Sequence, residues 1–182
     1  VVLATWKGEM DRWPRLGAKF ASMGLDLVEL DDPGPDRGNF SRQMTQLLHG
    51  LARIPEGARV LKTRTDRVRP VDVDHLAEDL SLPADLPAAH RFGFRQRIQV
   101  TSLVFYMPFY CHDFTYHGLR EDLLRLVHEH ARPDASQRLA QTRWNPEMRL
   151  FATPFIPGCP LLASFARHVN PYFVHRVDGW LF

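Results

Sequence analysis

The stretch "RVLKTRTDRVRP", residues 59–70, decides how this chain reads. It opens as a buried strand with Val60 and Leu61, then exposes Thr63, Arg64, Thr65 and Asp66, and Pro70 stops it. One carboxylate stands among the arginines Arg59, Arg64, Arg67 and Arg69. Such a strand end is a candidate ligand edge, because open α/β sheets bind ligands beyond the carboxyl ends of their strands.

Two similar strand ends precede it. "VVLAT" (1–5) is a short apolar, β-branched run that leads into Thr5, Trp6 and Lys7. "LDLVELDDPGP" (25–35) is a second strand that runs into Asp31, Asp32 and a Pro/Gly turn. Between them, Trp13, Leu16, Phe20 and Met23 follow helical spacing, with Gly24 as the stop. "NFSRQMTQLLHGL" (39–51) carries the apolar stripe Met44, Leu47, Leu48 and Leu51, with Asn39 as the expected N-cap. "VDVDHLAEDL" (71–80) reads as a further short helix. The order β-α-β-α-β-α predicts a mostly parallel, Rossmann-type sheet flanked by helices. Further on, "RIQVTSLVFYMPFY" is strand-like and "LREDLLRLVHEHA" is helical. After Pro133 the pattern weakens, and 14 prolines favour a loop-rich C-terminal part. No repeat or linker interrupts residues 1–182, so the sequence predicts a single domain.

The totals set limits. With 182 residues and 45% hydrophobic content, the chain is long enough for a sizeable core. A net charge of +2 is too small to indicate a nucleic-acid partner. No run approaches the roughly 18 apolar residues of a membrane span. Cys111 and Cys159 form no metal or disulfide pattern, which makes a reduced, cytoplasmic setting the expectation. The chain begins inside a strand without Met, and is expected to be a domain of a longer protein.

If the three strands are parallel neighbours, their ends meet. Trp6 then packs near a base, and Asp31 and Asp32 contact the nucleoside. Asp66 holds a hard cation such as Mg²⁺ or Mn²⁺ against pyrophosphate oxygens. Arg42 and Gln43, in the first turn of a helix, join Asn39, Thr5 and Arg64 on the donor side, since a planar guanidinium grips two phosphate oxygens at once. The same residues also make ordinary turns and caps. "HDFTYH" places His112, Asp113 and His117 together, with His128 and His130 downstream, but the spacing matches no helical zinc pair. Arg91, Arg95 and Arg97 share one face of an extended segment and either attract an anion or guard a sheet edge.

"ATWKGE", "LVELDDPGP", "NFSRQMTQLLHGL" and "VLKTRTD", followed by "MPFYCHDFTYHGLREDLLRLV" and "NPEMRLF", resemble the WavE-type lipopolysaccharide-synthesis family across most of residues 1–155. The resemblance implies a GT-A-like fold and sugar transfer from a nucleotide-sugar donor to a glycan or glycolipid acceptor of the bacterial surface, with peripheral contact at the inner face of the membrane. "TRTD" then stands at the Asp-x-Asp metal motif, with Arg64 in place of its first carboxylate. Transfer to a sugar hydroxyl with inversion needs a general base. Asp113 and Glu147 are the candidates, and Asp122 reads as a helix-end charge. Two other classes stay open. One is a nucleotidyltransferase or nucleotide-sugar hydrolase with the same donor pocket. The other is a non-catalytic nucleotide- or glycan-binding module.

Overall fold

In the computed structural model of the chain, residues 1–35, 39–65, 73–87, 92–100, 109–111, 115–128 and 146–160 are described. They form a mixed α/β structure that divides into two compact units, Val1–Glu56 and Gly57–Phe182.

The first unit is built on a parallel strand pair. β1 (Val2–Trp6) and β2 (Asp26–Leu30) run side by side, with Val2 opposite Asp26 and Trp6 opposite Leu30. A 3-10 turn (Met10–Arg12) and α1 (Pro14–Ser22) make the crossover. Pro14 starts α1, where its missing N–H costs nothing. Gly24 ends it at φ +68°, while the Leu25 and Gly24 amides reach back to the Phe20 and Ala21 carbonyls. That double return is the left-handed helix stop favoured by glycine. α2 (Phe40–Ala52) packs on β1, burying Phe40, Met44, Leu47 and Leu51 as its 3.6-residue period requires. At Gly50 the two elements are near each other: a Cβ there would lie 3.8 Å from the Ala4 Cβ, an ordinary van der Waals contact. Arg53, just past α2, grips Asp26 with two hydrogen bonds of 3.0 and 3.1 Å.

The second unit holds an antiparallel sheet. β3 (Arg59–Lys62), β4 (Gln99–Val100) and β5 (Tyr116–Leu119) lie in the order β3-β5-β4. α3 (Arg120–His128) follows β5 directly, and α4 (Pro146–Ala152) runs into a 3-10 turn over Thr153–Gly158. Tyr116, Leu123, Leu126, Met148, Leu150 and Phe151 are buried in this core. The Tyr116 and Phe151 rings meet edge to face at 5.8 Å, and the Lys62 ammonium sits 4.8 Å from the Tyr116 ring centre. Asp122, read from the sequence as a helix-end charge, does lie in the first turn of α3, and it is buried there. Its carboxylate accepts the Arg95 and Gln96 amides at 2.8 and 2.9 Å. Burial pushes its pKa up against the pull of those two bonds.

The β-α-β-α opening and the parallel pairing of the first two strands match the sequence reading. The third strand differs: β3 is hydrogen-bonded to β5 in the antiparallel sense, Leu61 opposite His117. β5 is "YHGL", whose glycine and histidine read as loop. Gly118 fits closely there: a Cβ would lie 3.3 Å from the Ile98 side chain, which would have to shift slightly. The helix expected over 71–80 is not seen in its described part, 73–80, which is a run of turns. Side chains fasten that run: Gln99 accepts the Ala77 amide and donates to the His75 carbonyl, while Arg59 and Arg97 donate to the Glu78 and Asp79 carbonyls. Backbone groups satisfied by side chains in this way do not need a helix.

Candidate functional site

The carboxyl ends of β1 and β2 form the candidate site, and it lies within the first unit. The strand ladder reaches Trp6 and Leu30, and the Lys7 amide extends it by donating to the Leu30 carbonyl at 2.9 Å. This register sets Lys7 beside Asp31, and the two side chains pair at 2.8 Å. Asp32, one residue on, points to α2. Arg42 Nε donates to its Oδ1 at 2.7 Å, and Arg42 Nη2 donates to its Oδ2. The Gly34 amide also donates to Asp32 Oδ1 at 2.9 Å, closing an aspartate turn with Gly34 at φ +87°.

The two pairs differ in weight. Lys7 and Asp31 are 62% and 86% exposed, so water and salt screen them. Arg42 and Asp32 are 30% and 36% exposed and share a planar fork with two bonds. Hydrogen bonding to Arg42 holds the Asp32 carboxyl below its usual pKa, with help from the Gly34 amide.

Asn39 occupies the N-cap position of α2 in a left-handed conformation, φ 55°. Its side chain does not cap the helix. Its Oδ1 instead accepts Arg42 Nη1 at 3.3 Å. Arg42 is therefore held from both sides, by Asp32 and by Asn39. A non-glycine residue in the left-handed region is uncommon, and asparagine tolerates it best.

Of the residues that the sequence placed on the donor side, Asp32, Asn39 and Arg42 are in direct contact, and Asp31 is drawn to Lys7. Trp6 is half-buried at the end of β1, and Gln43 is half-buried one residue beyond Arg42. Thr5 has another task. It is buried, and its hydroxyl donates to Glu9 Oε2 at 2.6 Å, tying the strand end to the loop that follows. Arg64 follows β3 in the second unit and is half-buried. Glu147 is half-buried in the first turn of α4. Asp66 and Asp113, the expected metal ligand and base, lie outside the described residues. Lys7 and Glu9 were missed as partners. Lys7 was legible as the cation facing an acidic neighbouring strand end, whereas nothing in sequence spacing marks Glu9.

Among the described residues no three His, Cys, Asp or Glu side chains are grouped to hold a metal ion. Asp31 and Asp32 are each matched to a cationic side chain, which leaves them poorly suited to be cation ligands. No described helix is long and apolar enough to cross a membrane. Comparison with known protein families, curated proteins and solved structures returns no match.

Proposed function

We propose that the first unit binds the nucleoside diphosphate part of a nucleotide sugar, and that the chain is a GT-A-like glycosyltransferase of surface-polysaccharide assembly. The observation that supports this most is Arg42, held by Asp32 and Asn39 beside two parallel strand ends. A guanidinium fork fits phosphate as it fits carboxylate. A diphosphate arriving here takes over part of the fork, while Asp32 becomes an acceptor for ribose hydroxyls. Trp6 offers its ring to the base, and Gln43 adds a polar contact one residue beyond Arg42. In transfer, an acceptor hydroxyl oxygen attacks the anomeric carbon, its proton passes to a general base, for which Asp113 and Glu147 are the proposed candidates, and the nucleoside diphosphate leaves. The binding step uses Arg42 and Asn39. Asp66 stays the proposed holder of a divalent cation, which would supply charge neutralisation to a phosphate.

A second reading, nucleotide binding without turnover, is favoured by one specific observation. Asp31 and Asp32 are already paired with Lys7 and Arg42, an arrangement suited to recognition more than to metal-assisted transfer.

A thermal-shift panel tests the proposal. Nucleoside diphosphates and nucleotide sugars are compared with and without Mn²⁺, since a ligand that binds only the folded chain raises its melting temperature. A rise with at least one diphosphate is the expected result. Adding a glycan acceptor and following release of the diphosphate then separates transfer from binding. No stabilisation by any member of the panel contradicts both readings.

A further inference from the structure

We infer that α1 is a docking surface for an anionic lipid bilayer. The helix carries an apolar stripe that the protein does not bury. At the helical 3.6 residues per turn, Trp13, Leu16, Phe20 and Met23 fall within a sector of about 80°. Trp13 and Met23 are 62% exposed and Leu16 is 40% exposed, and no residue of α1 is buried. A helix of a water-soluble face ordinarily turns such a stripe inward. Here Trp13, Leu16 and Met23 stay in solvent, and only Phe20, in the middle of the stripe, is half-buried.

Charge identifies the partner. Arg15 and Lys19, both exposed, occupy the sector next to the stripe, while in the turn just before it exposed Arg12 is offset by exposed Asp11. Pro14–Ser22 contains no acidic residue. An apolar stripe with tryptophan, flanked by Lys and Arg, fits the boundary between acyl chains and anionic headgroups. Trp13 suits that boundary, having an apolar ring and one N–H donor. The long stems of Arg15 and Lys19 can lie along the apolar layer while their charges reach phosphate. A second copy of the same face is a poorer occupant, because two-fold pairing of identical patches brings these cations together. One nine-residue helix gives reversible attachment, well short of permanent insertion.

This inference does not rest on the sugar-transfer reading, since lipid binding is measured without nucleotide. The test is co-sedimentation of the full chain with phosphatidylglycerol vesicles and with phosphatidylcholine vesicles. Binding to the anionic vesicles, weakened by salt, is the expected result. Arg15→Glu with Lys19→Glu should weaken it by on the order of tenfold or more. Trp13→Ser with Met23→Ser should weaken it without changing the salt dependence. All four side chains are exposed, and circular dichroism of each variant should match the parent. Equal binding to both vesicle types, or unchanged binding in the variants, overturns the proposal. So does concentration-dependent self-association that the Trp13/Met23 variant abolishes while vesicle binding is absent.

Discussion

Arg42 is the residue on which the candidate site turns, because it links β2's carboxyl end to the start of α2. Its fork keeps Asp32 ionised below the ordinary carboxyl range. Asp32 in the folded chain thus titrates below the 3.8 of a free aspartate. Its contribution to stability is complete above that value and is lost as pH falls through the folded pKa. Arg42→Ala removes the largest cause of the shift. The Asp32 titration, followed by carboxyl NMR, should move up toward the ordinary value, held down only by the Gly34 amide. An unchanged titration would show that the pair does not persist in solution. Asp122 gives a second test at this scale. Asp122→Ala strands the Arg95 and Gln96 amides and should cost about 1–3 kcal/mol by chemical denaturation. Asp122→Asn retains one acceptor and should cost less. A neutral effect of the alanine variant would mean that water replaces the carboxylate.

The 75–81 run over the antiparallel sheet sets the behaviour of the second unit as an element. Arg59 of β3, Gln99 of β4 and Arg97 just before β4 fasten it, and His117 lies on β5 opposite Gln99. His117 is 7% exposed, and among the described residues its Nδ1 has no hydrogen-bond partner. Burial, and secondarily the Arg59 charge, hold its pKa below the ordinary 6.5. The unfolded chain therefore binds this proton more readily than the folded chain does. Stability is complete above pH 6.5 and falls as pH drops from there toward the folded pKa. His117→Leu should flatten that part of a stability–pH profile measured by urea unfolding. A profile with the same slope in the variant assigns the dependence to another histidine. Gln99→Ala should raise hydrogen exchange at the Ala77 amide, whose acceptor it removes, and leave the β3–β5 ladder protected.

At the scale of the whole molecule, the parts legible in sequence were those fixed by local rules. α2's period, the Gly24 stop and the parallel β1–β2 pair follow from apolar spacing, glycine chemistry and β-branched runs. The contact of Asp32 with Arg42 was only half legible. Both residues were placed on the donor side, but whether they bind a ligand or each other depends on a turn at Gly34 and on Asn39's left-handed backbone. β5 was not legible, since four residues with a glycine carry no period and gain their strand character from neighbours on both sides. α1 was legible as a helix, but its exposure was not. Exposure is set by what packs against a helix, and spacing does not encode that.

The central claim is that β1, β2 and α2 present Arg42 to a nucleoside diphosphate. Isothermal titration of the parent chain and Arg42→Ala, each with a nucleoside diphosphate and with the matching nucleoside, tests it most directly. A fork that grips phosphate should lose roughly tenfold or more in diphosphate affinity on truncation, about the worth of one charge-assisted bond of 1.5–3 kcal/mol, while the nucleoside changes little. Equal loss for both ligands, or no measurable diphosphate binding by the parent chain, would contradict the account.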